Sequence, residues 1–346
     1  MSRIYFILCL LGLACVACQP ATNTSALENT AGFNIEIQND STTITIYSPW
    51  QKGKVMQKLA IGNGLLAERV VCTSATHLGF ISELGMTDKV VGVCRPDRIY
   101  NLSEEDRDRI TDIGDDMQPN MEKILMLNPD LVILYTYAQG DPIPAQVEAL
   151  GIPILYCNEW TETTPLARAE WIRVFGSVFG CLNHADSIYE SVRDAYAHLK
   201  VDSLKFKGKS IMSGMSWRGT WYVPAGGTFM GNLFRDAGAH YKYEDNTSTS
   251  SIPLTMEQAL QDFAEADVWV GCNAHTLAEL QSIDEKHTWF KAYQTGQVYN
   301  FYRRTLPSGA NDFWESGTVH PERILHDLQS LLRGDTSALY YTAPLH

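Results

Sequence analysis

Apolar and polar residues alternate from Phe33 to Tyr47, as FNIEIQ and then TTITIY across the turn-like Asn39-Asp40-Ser41, and this period of two predicts a β-hairpin. From Arg69 the rhythm changes. Short β-branched runs (RVVC, VVGVC, DLVILY, IPILYC) are separated by helix-like stretches near Thr76–Leu84, Met121–Leu127 and Pro144–Leu150. Apolar runs without alternation, flanked by helices, are the pattern of βαβ units around a parallel sheet. Between Leu182 and Leu204 no strand interrupts, and Ala185, Ile188, Val192, Ala195 and Leu199 fall on one helical stripe, so one long helix is expected there. The α/β rhythm then resumes with KSIMSGM, GTWYV, a helix over Thr228–Ala237, a helix from Met256, DVWVG, QVYNF and a last helix over Pro321–Leu332. The expected fold is α/β, with two Rossmann-like lobes joined by one long helix and an N-terminal β-hairpin extension. By residue number this divides the chain into 1–17, a cleaved segment; 18–32, a flexible tether; 33–66, the β extension; 67–181, the first lobe; 182–204, the linker helix; and 205–335, the second lobe.

Two stretches within this pattern repeat one design. QPNMEKILMLNPDLVIL (Gln118–Leu134) and IPLTMEQALQDFAEADVWV (Ile252–Val270) each place a proline before a helix cap, then Met and Glu, then apolar residues, then Asp ahead of a β-rich run. Asn120 and Thr255 are good N-cap types, and Thr255 with Gln258 fits a capping box. Glu122 and Glu257 then sit at the second helical position, near the positive end of the helix dipole. A glutamate in a first turn stabilises a helix by itself, but the same placement once per lobe gives each lobe one carboxylate.

Composition narrows the setting. Forty acidic against 27 basic residues leave a formal net charge of −13, which repels polyanions and argues against nucleic-acid binding. Arg3 followed by the apolar run Ile4–Val16 is a signal segment, within the about 7–15 residues of a signal h-region and short of the about 20 that span a bilayer. It ends in LACVACQP, which resembles the lipobox of bacterial lipoproteins; Cys18 is then the lipid-bearing residue, with Cys15 the alternative, and the protein sits on the periplasmic side of the cell envelope, anchored to a membrane through that lipid. Five cysteines remain, Cys72, Cys94, Cys157, Cys181 and Cys272, an odd set without CxxC spacing that reads as small buried hydrophobes, with a bridge left open.

From about Arg69 to Leu332 the chain resembles the extracytoplasmic substrate-binding proteins of ABC importers for cobalamin, ferric siderophores and haem. The stretches that carry the resemblance are RVVCTSATHLGFISELGMTDKVVGV, NMEKILMLNPDLVIL, LTMEQALQDFAEADVWV and NDFWESGTVHPERIL. It implies that the linker helix is rigid, and that a monomer captures a metal chelate and delivers it to an ABC permease and its ATPase. It further implies that Glu122 and Glu257 pair with permease arginines. The Phe33–Gln57 extension and NEWTETTPLARAEWIRVFG depart from the simplest cobalamin-binding members and resemble additions in envelope lipoproteins of the Bacteroidetes.

Ligands of open α/β sheets sit beyond the strand carboxyl ends. The residues there are Thr73–Thr76, Arg95, Tyr135, Tyr137, Glu159, Trp160, Trp217, Arg218, Trp221, Tyr222, Asn273, Tyr302–Arg304, Phe313 and Trp314. From these, Arg95, Tyr135, Tyr137, Trp160, Trp217, Arg218, Trp221, Tyr222, Arg303 and Trp314 are the expected ligand-binding set, since aromatic faces and guanidinium forks suit a flat, partly charged chelate. No protein metal site or resident cofactor is expected, because the nine histidines show no HxH or HExxH spacing. VPAGGTFMG lacks GxGxxG and Ser216 lacks a GxSxG elbow, so catalysis is not expected. The rival classes are an envelope enzyme that modifies or demetallates a chelate, which needs an acid/base pair or metal cluster in the cleft, and a chelate-holding lipoprotein without a permease, which has no use for paired glutamates.

Overall fold

The computed structural model describes residues 23–24, 30–38, 41–62, 67–201 and 208–346. The signal segment, Cys18 and most of the tether lie outside the described residues, as do positions 202–204 of the expected linker. Among the described residues no helix is long and apolar enough to cross a membrane.

Each lobe is built on a parallel sheet. In the first lobe the strand order is Ile154–Tyr156, Leu131–Leu134, Val70–Cys72, Val90–Val93, Thr111–Asp112, every pair parallel. Leu131–Leu134 is buried throughout, which explains its unbroken apolar sequence. The second lobe orders His240–Tyr241, Ser210–Ser213, Val268–Val270 and Val298–Asn300 in parallel, and Ala343–Pro344 closes the edge antiparallel. The expected end of this lobe at residue 335 is therefore too early. Leu339, Tyr341 and Leu345 are buried in its core, and buried Asp327 accepts the backbone N–H groups of Tyr340, Tyr341 and Thr342. GTWYV also differs from expectation: Thr220–Pro224 pairs with Ser216–Trp217 and Ser251–Leu254 in a separate antiparallel sheet.

The linker helix spans Leu182–Leu199, and its buried face keeps Ala185 and Val192 of the expected stripe but adds Tyr189 and Tyr196 in place of its other members. Ala195 is exposed and Ile188 only half-buried. Tyrosine supplies the inner face because its ring packs while its hydroxyl bonds: Tyr196 Oη donates to Asp236 Oδ2 at 2.8 Å.

The N-terminal extension is more than a hairpin. Strands Asn23–Thr24, Phe33–Gln38, Ser41–Tyr47 and Val55–Ile61 form one antiparallel sheet whose Phe33, Ile35, Ile44, Ile46 and Ile61 enter the first-lobe core. Its entry is strapped down by buried carboxylates. Glu162 accepts from Thr30 Oγ1, Gly32 N and Trp171 Nε1, and Glu170 accepts from Thr30 N. The last residues of the expected tether, Thr30–Gly32, are thus bonded to the lobe.

The lobes meet through a crossing segment. The short helix Ser316–Val319 follows the second lobe's Phe313 but packs on the first lobe's helix Ala75–Glu83, and Val319 belongs to the first-lobe core. The Glu315 carbonyl lies so close to Gly79 that a Cβ there would stand 2.4 Å from it. The Glu315 carboxylate accepts the backbone N–H groups of Tyr100 at 2.6 Å and Asn101 at 2.9 Å. Burial nevertheless pushes this carboxyl up to about 7, outweighing those two bonds, and neighbouring Asp312 adds to the rise.

A proton retained by the folded protein at a pH where the unfolded chain has released it favours folding below about pH 4.5, and that advantage is lost as pH rises towards about 7. Urea unfolding between those limits should show a Glu315 contribution of roughly 2–4 kcal/mol. Glu315→Gln should flatten the slope; an unchanged slope would mean that Glu315 does not titrate there.

Candidate functional site

A cavity of about 810 Å³ lies between the strand carboxyl ends of the second-lobe sheet and the first-lobe segment that follows the edge strand Ile154–Tyr156. Its walls come from three sources. The extension contributes Pro49 and Trp50, the first lobe Trp160 to Thr163 and Arg168, and the second lobe Tyr222, Phe229, Met230, Asn273, Phe301, Tyr302, Phe313 and Trp314 among others. Trp50 and Trp160 lie ring to ring at 6.1 Å, so the extension and the lobe build one aromatic wall. Phe301 stacks on Phe313 at 4.2 Å, with Trp314 edge-on to Phe313 at 4.8 Å, on the opposite side.

The polar lining is mostly neutral: Thr161, Thr163, Ser213, Thr228, Thr249, Ser250, Ser251 and Asn273. Among the described lining residues the charged ones are Glu162, turned to the extension strap, and Arg168. The Arg168 guanidinium donates to the Trp160 carbonyl at 2.8 Å and lies 4.2 Å above the Phe229 ring. It therefore joins the two walls and is already engaged. Asn232 Nδ2 donating to Thr163 O at 3.0 Å is a second polar tie between them.

Of the ten residues expected to bind ligand, Trp160, Tyr222 and Trp314 line this cavity. Asn273, Tyr302 and Phe313, from the wider strand-end set, line it as well. Arg95, Tyr135 and Tyr137 sit elsewhere on the first lobe. Tyr135 Oη donates to Asp116 Oδ2 at 2.6 Å with the Tyr137 ring edge-on at 4.8 Å, and burial raises the Tyr135 phenol above its usual range. Arg95, at a left-handed φ of 51°, is exposed and paired with Asp97. Trp217 and Arg218 stand exposed beside a hairpin turn, the guanidinium 5.6 Å over the indole, and Arg303 is exposed with its backbone N–H on Tyr341 O.

Trp221 is corrected to a core residue. Its ring has no exposure and packs against Trp269, His287 and Phe290 at 5.2–5.5 Å, with Nε1 donating to Ser213 O. The period of two in TWYV turns Trp221 and Val223 inward and Tyr222 outward. Trp50, Arg168 and Phe229 were not anticipated; Trp50 lies between two strands of an extension whose docking face cannot be read from alternation alone.

The remaining expectations concern chemistry at the edges. Cys72, Cys94, Cys157, Cys181 and Cys272 are all free, and only Cys181 is not buried. Burial pushes the Cys94 and Cys272 thiols up to about 12, which makes them inert at neutral pH. Asn120 caps Met121–Leu127 through Lys123 N, and Thr255 with Gln258 makes a complete capping box on Met256–Phe263. Glu122 and Glu257 are both exposed, Glu257 in a 3.3 Å pair with Lys286. Each helix leads directly into a parallel strand, so its start lies towards the strand carboxyl ends, the end of the molecule that holds the cavity.

Two parallel-sheet lobes facing each other over an aromatic cavity make a bilobed ligand-binding protein. The chain belongs to the Periplasmic binding protein family, whose profile matches residues 70–303. An uncharacterized lipoprotein of Methanocaldococcus jannaschii is 24% identical over 296 residues, covering 82% of this chain and 69% of that one. An uncharacterized ABC transporter substrate-binding lipoprotein of Bacillus subtilis is 25% identical over 186 residues, 52% of this chain and 57% of that one. The crystal structure of a periplasmic heme binding protein from Pseudomonas aeruginosa has the same fold, with a TM-score of 0.63 and 16% identity, covering 81% of this chain and 99% of that one.

Truncation separates core from cavity. Trp221→Ala should lower unfolding free energy by about 3–5 kcal/mol. Trp314→Ala, at a site 61% exposed, should change it by no more than about 0.5 kcal/mol. Denaturant unfolding of the two variants checks this, and equal losses would contradict the placement.

Proposed function

We propose that this protein is the extracytoplasmic receptor of an ABC importer, and that it captures a metal chelate between its lobes. The observation that carries the reading is the cavity walled by Trp50, Trp160, Tyr222, Tyr302 and Trp314. Several indole and phenol faces give broad apolar contact to a large ring system, and neutral hydroxyls and an amide meet its edges. A polyanionic ferric catecholate asks for several free cations; the one cation of the described lining is bound to a carbonyl and stacked on Phe229. The lining therefore favours a corrinoid of cobalamin type, with neutral amide edges, over ferric siderophores or haem.

Delivery to a permease is supported by the paired carboxylates at the cavity end of each lobe. A two-fold partner with one basic site per half matches that arrangement. An envelope location with an N-terminal lipid at Cys18 fits the lipoprotein relatives.

Titrating the purified chain with cyanocobalamin, haem and a ferric catecholate, followed by tryptophan quenching, should show tightest binding of the corrinoid. Trp160→Ala should weaken it by about 1–3 kcal/mol. Tight haem or catecholate binding without corrinoid binding would overturn the ligand assignment. Reversing both glutamates, as Glu122→Lys with Glu257→Lys, should leave affinity within about twofold while abolishing uptake, because these exposed charges lie outside the cavity lining and act on the partner. Normal uptake by the doubly reversed protein would sink the docking role, since the helix-dipole effect alone predicts only about 0.3–1 kcal/mol of stability loss per site.

A further inference from the structure

Directly behind the aromatic wall lies a group of side chains that the cavity does not use. His77 comes from the helix Ala75–Glu83, Cys157 follows the strand Ile154–Tyr156, and Glu159 opens the single turn that carries Trp160. All three are buried, with exposures of 0%, 0% and 4%. Their donor atoms lie within 4.8 Å of one another. Glu159 Oε2 is 3.5 Å from His77 Nε2 and 3.4 Å from Cys157 Sγ, and the Cys157 carbonyl oxygen is 3.3 Å from the same His77 nitrogen.

These separations bear on two accounts. A buried histidine–carboxylate ion pair closes to about 2.7–2.9 Å, since nothing else offsets its desolvation. Donors arranged tetrahedrally around zinc, with bonds of about 2.0 Å to N and O and 2.3 Å to S, stand roughly 3.3–3.5 Å apart. The Glu159–His77 and Glu159–Cys157 separations match the second, all three donor atoms lie within 4.8 Å of one another, and nitrogen, sulfur and oxygen together are a borderline-soft donor set.

We propose that His77, Cys157 and Glu159 hold a zinc-class dication beneath the cleft, with the Cys157 carbonyl available as a fourth oxygen. Binding releases one proton, because the Cys157 thiol gives up its hydrogen to solvent as the sulfur–metal bond forms. Thiolate and carboxylate then balance the dication, which makes burial of all three groups consistent. The ion fixes the turn Glu159–Thr161 and thereby the Trp160 face presented to ligand. The proposal does not depend on which molecule fills the cavity.

Cobalt(II) is the probe. The full-length mature protein, stripped with a chelator, should take up one equivalent of cobalt(II) with an intense thiolate-to-metal charge-transfer absorption and tetrahedral visible bands. Zinc(II) should displace it and raise the melting temperature. In Cys157→Ser the charge-transfer absorption should vanish, and zinc affinity should fall by at least the roughly 10–100-fold that loss of a mere supporting partner costs. Should that variant not fold, the titration of the unaltered protein decides alone. A weak octahedral spectrum with unchanged melting, or a charge-transfer band that survives in Cys157→Ser, would overturn the assignment and leave Glu159 as a buried carboxylate held by His77, Cys157 and the nearby charge of Arg168.

Discussion

The geometry of the molecule depends on a carboxylate that belongs to one lobe by sequence and to the other by contact. Glu315 is anchored to the backbone of Tyr100 and Asn101 while its own main chain lies on Gly79, and the following turn buries Val319 in the first-lobe core. A buried carboxyl is best placed where donors meet it, so this contact favours the docking position that presents the Tyr100 and Asn101 backbone to Glu315. The linker helix and this lock together hold the two walls of the cleft facing each other. Asn101 Nδ2 to Asp312 Oδ1 at 2.7 Å, and the Arg304 guanidinium 5.1 Å over the Tyr100 ring, extend the same contact.

The cavity follows from that position. Neither lobe closes a pocket alone, because the first offers Trp160 and Arg168 as one wall and the second offers Tyr222, Phe229, Tyr302 and Trp314 as the other. Arg168 spans the gap by donating to its own lobe's Trp160 carbonyl while resting on Phe229 across the cleft. Stability and site geometry are therefore carried by overlapping residues, which is economical but leaves few lining positions that can change freely.

What the sequence made legible was whatever depends on period and caps. Parallel strands read as unbroken apolar runs, and Asn120, Thr255 and Gln258 announced helix starts that the structure contains. What stayed hidden depends on which side of an element meets a partner far away in sequence. Trp221 and Tyr222 are adjacent in one strand, and only pairing with Ser251–Leu254 fixes which of them is enclosed. Tyr189 and Tyr196 fall outside the aliphatic stripe that the helical period picks out, yet they share the inner face of the linker with Ala185 and Val192. His77, Cys157 and Glu159 could give no spacing signal at all, since 80 residues separate the histidine from the cysteine. Trp50 was invisible for a similar reason, because its place depends on how a whole sheet docks.

That sheet has an evolutionary consequence. Trp50 reaches the cavity from an extension held to the first lobe by its own apolar face and by Glu162 and Glu170. One wall of the cleft is thus carried partly on an appended sheet whose apolar face completes the first-lobe core. Changes in the turn from Ser48 to Lys54 that carries Trp50 can redraw the shape that a bound molecule must match and leave the paired lobes untouched, so selectivity in such a fold can diversify at the edge rather than at the centre.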